Sequence, residues 1–316
     1  MKVKSAIGVR SLRLATMATA ILGLSVAASA QYAITSWGSN ISGQQILPSP
    51  NSGFTAIAGG GGHTMALKSD GTVVAWGSNT QGQSTVPAGL SGVIKIDAGN
   101  IHSLAVKSNG TIVAWGWNGF GQCNVQTPNK GYSDVAGGRE HSIALKSNGS
   151  VVAWGRNNYG QAGTPPSNKN FVKIATSFDH NLALKSDGTI TAWGRNDFGQ
   201  CNVPENFGYT AISAGGFNDG FSMGLKADGS IRVWGSSTYG VQAIPFPNAN
   251  FVAIAAGSAH CMGLKADGTV VCWGAGMYPP SGDPTFPEFG QSVVPAGLAG
   301  VMAIAAGNNH SIVLRP

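Results

Sequence analysis

Several things are missing from this sequence, and each absence narrows what the chain can be. No apolar run reaches the ~20 residues a membrane-crossing helix needs; the stretch from Leu14 to Ala28 falls short. No linker, charge block or low-complexity tract divides the chain, so nothing marks a second domain. No serine or cysteine nucleophile, carboxylate pair or phosphate loop stands out, and a catalytic site should break a pattern somewhere specific. Glycine pairs occur at Gly59-Gly60 and Gly137-Gly138 without a following helix, which leaves a dinucleotide fingerprint unsupported. The sequence predicts no catalytic residue, no cofactor and no metal site.

Positive charge is also scarcer than it looks. The chain has 19 Lys+Arg against 13 Asp+Glu, a net of +6. Four of those cations, Lys2, Lys4, Arg10 and Arg13, precede the apolar stretch, and no acid lies in residues 1–30. Ala28-Ser29-Ala30 follows as a small-x-small cleavage site, so residues 1–30 read as a secretory signal peptide. No adjacent arginine pair points to the twin-arginine route. Removal of the leader leaves 15 cations against 13 acids, a net of +2. The net charge is then no evidence for nucleic acid, whose binders show a basic face in the folded domain, and no nucleic-acid partner is expected. The expected location is secreted or periplasmic, with no membrane attachment after cleavage.

What the sequence has in abundance is repetition. Tryptophan-glycine pairs fall at Trp37, Trp76, Trp115, Trp154, Trp193, Trp234 and Trp273, with spacings of 39 residues and one of 41. Self-similarity at such a period means an array of like supersecondary units. Each unit reads as a strand (Phe54–Ala58), a glycine-rich corner, a strand (His63–Lys68), a turn (Ser69-Asp70-Gly71) and a strand (Thr72–Trp76). Asp-Gly or Asn-Gly between apolar runs is a strong hairpin signal, because those residues tolerate positive φ. A loop such as Ser78–Gln83 leads on through Thr85-Val86-Pro87, expected as a short edge-like fourth strand. The strands are apolar on both faces, as in Val73-Val74-Ala75-Trp76, which suits small sheets covered on each side by neighbours.

The two ends are complementary. Residues 33–38 form a tryptophan strand with nothing before it, and the last unit ends after His310–Leu314 with no tryptophan strand. Pairing them completes a seventh unit and removes the exposed edges. The prediction is an all-β fold, a seven-bladed β-propeller over residues 31–316, closed by pairing of the N-terminal strand with the C-terminal blade.

The recurring pattern AGGxHxxALKxDGxVxxWGxNxxGQ resembles the repeat of the regulator of chromosome condensation family over essentially all of residues 33–316. The unit is closer to that of compact exported bacterial members, one of which inhibits a beta-lactamase. The resemblance implies a seven-bladed propeller that binds other proteins with one face. It does not carry over nucleotide exchange on a nuclear GTPase, because the matched residues are scaffold.

Three repeated sets read as scaffold or rim. His63, His102, His141, His180, His260 and His310 share one position, with Phe221 in the fifth unit. A histidine there can hydrogen-bond backbone at the corner, and its equivalents should lie too far apart to share a metal ion. Lys68, Lys107, Lys146, Lys185, Lys226, Lys265 and Arg315 form a cationic rim, offset in part by Asp70, Asp187, Asp228 and Asp267. Among the cysteines, Cys261 and Cys272 lie on two arms of one hairpin and form a candidate cross-strand disulfide, subject to register. Cys123 and Cys201 lie two units apart, beyond the ~7 Å Cα limit for a bridge, and are expected to be free or shielded under the loop.

Function should lie where the repeat varies. The corner before each histidine and the loop after each tryptophan-glycine must emerge on one face. There, units two to five carry Trp117, Phe120, Arg139, Arg156, Tyr159, Phe178, Arg195, Phe198, Phe217 and Tyr239, where unit one has Gly61, Gly62 and Ser78. Aromatics and arginine are the types enriched in interface hot spots. An insertion over residues 275–289 adds Tyr278 and Phe286, as a recognition arm or as a cover over the closure. The expectation is a monomeric, non-catalytic scaffold that binds a protein partner, with inhibition of a secreted hydrolase as one specific form. The alternative is a glycan or cell-wall binder with one shallow site per blade, in which Phe120, Tyr159, Phe198 and Tyr239 serve as repeated aromatics or simply pack beneath their loops.

Overall fold

The computed structural model describes residues 32–277 and 288–316. The leader read over residues 1–30 lies outside the described residues. The chain begins with β1 (Ala33–Gly38) and continues with blade one, β2 (Phe54–Gly59), β3 (His63–Lys68) and β4 (Val73–Gly77). Blade two is β5 (Val93–Ala98), β6 (His102–Lys107) and β7 (Ile112–Gly116); blade three is β8 (Tyr132–Gly137), β9 (His141–Lys146) and β10 (Val151–Gly155). Blade four is β11 (Phe171–Thr176), β12 (His180–Lys185) and β13 (Ile190–Gly194); blade five is β14 (Tyr209–Gly215), β15 (Phe221–Lys226) and β16 (Ile231–Gly235). Blade six is β17 (Phe251–Ala256), β18 (His260–Lys265) and β19 (Val270–Gly274), followed by β20 (Ala303–Ala306) and β21 (His310–Arg315).

The described strands form seven antiparallel sheets of three strands each. Blade seven has the order β1-β21-β20, with Ala33 opposite Arg315 and Gly38 opposite His310. The two ends of the chain therefore close the ring as expected. The expected fourth strand is not formed: Thr85-Val86-Pro87 lies outside the sheets and runs as irregular connection.

Apolar strands on both faces are explained by where the core lies. Each cluster of buried side chains sits between neighbouring blades. Trp115 of blade two, for example, packs on Met65, Leu67 and Val73 of blade one. The same holds across the closure, where Ile34, Ile312 and Leu314 meet Phe54 and Ala66. Tryptophan is thus a joint residue, which is why it recurs once per unit.

A second set of joints is polar. His63 Nε2 lies 3.0 Å from Ser103 Oγ of the next blade, and that hydroxyl donates to the Gln83 carbonyl at 2.8 Å. The Trp115 indole N–H donates to the same carbonyl at 3.0 Å. Because the serine hydrogen is spent on the carbonyl, the histidine must carry its proton on Nε2 and donate. The joint recurs at His102–Ser142, His141–Asn181, His180–Ser222, His260–Ser311 and His310–Thr64. This corrects the expectation of a bond to corner backbone: the ring is turned across the blade boundary, and it joins blades.

The histidine also explains the glycine pair beside it. A Cβ on Gly60 would stand 2.3 Å from His63 Cε1, so the ring lies flat against bare backbone. Burial pushes these imidazoles down to about 4 at His63, His141 and His260 and about 3 at His102, His180 and His310. All six are neutral donors at pH 7.

One joint is built differently. Between blades five and six, Phe221 replaces the histidine, Cys261 the hydroxyl residue and Val241 the glutamine, and the three share one apolar cluster with Trp273. Removing a donor and its acceptor together leaves no buried polar group unmatched, which is the low-cost way to lose a hydrogen bond. This overturns the proposed disulfide. Cys261 is register partner to Trp273 and Cys272 to Met262, so the two cysteines point to opposite faces of the sheet. Both are free thiols. Cys261 belongs to the joint with blade five, and Cys272 packs toward blade seven.

Candidate functional site

Corners and tryptophan-glycine loops emerge together because each second strand begins opposite the end of the third, as in His63 opposite Gly77. Gly77 has φ +93°, and a Cβ there would lie 2.6 Å from the Gly62 carbonyl oxygen. Glycine at this point brings loop and corner into contact, and the Ser78 N–H donates to that carbonyl at 2.8 Å. The loop itself is braced from within: Asn79 Oδ1 accepts from Ser84 N–H at 3.0 Å and Gln83 Oε1 from Gln81 N–H at 2.9 Å. The corners link blade to blade by backbone bonds, such as Asn100 N–H to Gly138 O at 3.0 Å and Asn308 N–H to Gly60 O at 3.0 Å. Side chains on this face therefore stand on a stiff frame.

On that frame the variable residues of blades two to five form a connected strip. Trp117 meets Phe120 edge-on, with ring centroids 5.4 Å apart. The Arg156 guanidinium lies 5.4 Å from the Phe120 ring centroid and is ion-paired to Glu140. Arg195 lies over both Tyr159 and Phe198, at 5.1 and 5.9 Å, with Asp197 at 2.6 Å and Asp179 at 4.0 Å. Nearer the axis, Arg139 covers Phe178 and Phe217 at 5.6 and 5.8 Å, and those two rings are 4.7 Å apart.

Phe120, Tyr159 and Phe198 are 48%, 43% and 44% exposed, so they are surface and do not pack beneath their loops as framework. Phe217 and Tyr239 are exposed as well, whereas Phe178 is buried and serves as a floor for Arg139 and Phe217. Tyr239 makes no ring contact with the strip among the described residues. Tyr278 and Phe286, assigned to the site from sequence, lie outside the described residues.

Charge in the strip is nearly balanced and held in place. Hydrogen bonding to Glu140 raises the Arg156 pKa, and hydrogen bonding to Asp197 raises that of Arg195. Burial raises the Asp179 pKa, opposed by Arg156, Arg139 and Arg195. Each guanidinium is stacked or paired before any partner arrives, so the ordering cost of binding is reduced. The acids holding these arginines, Glu140 and Asp179 in corners and Asp197 in a loop, were not assigned to the site from sequence, because only proximity to a loop arginine singles them out. The arrangement can present aromatic edges and fixed cations to a surface. Among the described residues of the strip, no nucleophile stands beside a base.

The other repeated sets are scaffold. Lys146, Lys185 and Lys265 stack on the first-strand rings of their own blades, at 5.6, 5.7 and 5.2 Å. Lys226 is buried and donates to the Glu205 and Phe207 carbonyls. Cys123 Sγ and Cys201 Sγ sit beneath their loops, each 3.3 Å from a loop carbonyl. Burial pushes these thiols up to about 11 and about 12, away from reactivity.

Seven radial sheets closed by the two ends of the chain, with one decorated face, define a β-propeller of the repeat-built kind. The model of the regulator of chromosome condensation (RCC1) repeat matches residues 54–83, 93–122, 132–161, 171–200 and 251–276, so five units of the chain are RCC1 repeats. Four of these matches run from the first strand to the loop glutamine. The unmatched fifth unit is the one whose histidine is Phe221. Among solved structures, the chain is similar to Prp20p of Saccharomyces cerevisiae, a protein studied for its binding to Gsp1p and histones. The TM-score is 0.73 at 21% identity, covering 90% of this chain and 91% of that one. It is also similar to human WBSCR16 (TM-score 0.68, 20% identity, 90% and 98% coverage). A third likeness is to the ectodomain of the Arabidopsis thaliana receptor kinase ACR4 (TM-score 0.63, 24% identity, 81% and 90% coverage). At these identities the likeness shows the fold. A search of curated proteins found no match.

Proposed function

We propose that this chain is an exported, monomeric, non-catalytic scaffold that docks a protein partner on the loop face of blades two to five. The observation that carries this reading is the strip of aromatic rings and arginines confined to one arc of a face whose backbone is the same all round. The relatives add support in kind: Prp20p binds Gsp1p and histones, and yeast RCC1 has been solved bound to Kap60. Export rests on the leader at residues 1–30. Inhibition of a secreted hydrolase is a specific form of the same docking.

The test is affinity capture from extracellular proteins and cell-wall polysaccharide, with the mature ring and its Trp117→Ala/Arg156→Ala variant as baits. A protein retained by the first and lost by the second, then confirmed by direct titration, supports the assignment. Equal retention by both baits overturns it. The glycan alternative is disfavoured because sugars stack on free aromatic faces, and Arg156 and Arg195 already cover Phe120, Tyr159 and Phe198. Retention on polysaccharide indifferent to the double substitution would restore that alternative.

A further inference from the structure

The first strands of all seven blades surround a central cavity of about 420 Å³. Each blade contributes an aliphatic side chain at one shared register position, Ile57, Ile96 and Val135 among them, so the wall has an apolar girdle. The residue just before the girdle is alanine in four blades: Ala56, Ala211, Ala253 and Ala303. In three consecutive blades it is Lys95, Asp134 and Lys173. These seven positions are equivalent by register, since each opposes the fifth residue of its second strand, as Lys95 opposes Val106 and Ala56 opposes Leu67. Just beyond the girdle Asp97 adds a further charge, where blade one has Ala58. Both signs of charge are therefore gathered on one wall, opposite a wall of alanine.

The frame does not require these charges, because four blades are built without them at the first position. Nor do the charges satisfy one another: no ion pair closes among the four within the described residues. Asp97 accepts from Gly137 N–H at 2.7 Å, and Lys173 donates to the Thr210 carbonyl at 2.9 Å. Asp134 accepts only from the N–H of Val135, at 3.0 Å, and Lys95 makes no hydrogen bond among the described residues. Burial raises Asp97 to about 7 and also raises Asp134, while it lowers Lys173. Charges held in a cavity against their solvation, with bonding capacity left over, mark a binding site better than a structural tie.

We propose that the central cavity binds a small zwitterion with a short aliphatic body, of the α-amino acid or short-peptide class. Asp134 receives its ammonium and Lys95 its carboxylate; Asp97 and Lys173 set the field around them. The girdle contacts the aliphatic body, and the alanine wall leaves it room. Arg139 and Phe178 of the loop-face strip also line this cavity, but none of the four charged residues belongs to the strip, so substitutions at those four test this site separately from the docking function.

The test is thermal melting of the mature chain with L-alanyl-L-alanine, with its N-acetylated, amidated analogue and with succinate. The comparison is with Lys95→Ala/Asp134→Ala, which places in blades two and three the alanine that four other blades already carry. Free dipeptide should raise the wild-type midpoint by about 5 °C near a hundredfold excess over Kd. The capped analogue should leave it unchanged, and the variant should not respond. Without ligand, the variant should melt at or above wild type, since half-buried charges that close no ion pair contribute little to folding. An unliganded variant that melts well below wild type makes the charges structural and overturns the proposal. So do an unresponsive wild type, an equal effect of the capped analogue, or a response to succinate alone.

Discussion

The loop face has two arcs that share a backbone and differ in side chains. At the position after tryptophan-glycine, blades two to four carry Trp117, Arg156 and Arg195, while blades six and seven carry Ala275 and Ser39, both buried. Beneath both arcs the joints follow one plan, histidine to a polar side chain to a carbonyl: the side chain is a hydroxyl in five, as in His102–Ser142 on one side and His310–Thr64 on the other, and the Asn181 amide in the sixth. Shape is therefore carried by residues that repeat, and recognition by the few that do not. The exception supports the division: the apolar joint of Phe221, Val241 and Cys261 lies at the boundary where the decorated arc ends.

The largest expected effect breaks both arcs at once. The six joint histidines have folded pKa values of about 3 to 4, against about 6.5 when unfolded. Below about pH 6.5 the unfolded chain therefore binds more protons than the folded ring. Stability is complete above that pH and falls as the solution is acidified, by up to ~1.4 kcal/mol per histidine per pH unit. Asp97, Asp134 and Asp179, raised by burial, act in the opposite sense but are outnumbered. Denaturant titrations followed by tryptophan fluorescence between pH 7 and pH 4 should show a steep loss. A flat profile would mean that the imidazoles are not buried neutral donors.

The next effect separates the arcs. Trp117→Ala/Arg156→Ala should weaken partner binding by at least about 100-fold, because paired aromatic and arginine anchors carry most interface energy. The melting midpoint should stay within about 2 °C of wild type, since neither residue belongs to a buried joint and the one contact Arg156 makes to the neighbouring blade, on Phe120, lies at the surface. Alanine at Ser78, on the other arc, should change affinity less than about twofold. Equal losses from both arcs would remove the distinction between them.

How much of this was legible in the sequence follows the same division. The 39-residue period and the complementary ends predicted seven blades and their closure, because a repeat reports scaffold. The strip's members were legible as departures from the repeat. Their pairing was not, because Arg156 with Glu140 and Arg195 with Tyr159 come together only through blade geometry. The Cys261–Cys272 disulfide failed on a single residue of register, which turns every side chain to the opposite face of a sheet. The cavity charges carried a signal that went unread: lysine or aspartate where sister units have alanine.

A smaller effect tests the joint at the arc boundary. Phe221→His should destabilise the ring by about 2 kcal/mol, since the new imidazole donor would meet a thiol and lose aromatic burial. Adding Cys261→Ser supplies the acceptor hydroxyl the other joints have, and should recover about half of that loss. Urea midpoints measure both. If the single substitution is neutral, the joint is not specified by matched polarity.

The smallest effect asks whether the strip is prearranged or only exposed. Glu140 touches no partner in this reading; it holds the Arg156 guanidinium, which also rests on Phe120. Glu140→Gln keeps the shape and removes the charge, so Arg156 stays stacked but less confined. Affinity should fall by about three- to tenfold, within what one half-buried ion pair and its ordering contribute. In the Arg156→Ala background the same substitution should have almost no effect, because its role passes through that arginine. A loss that persists there would make Glu140 a direct contact and extend the docking surface from the loops into the corners.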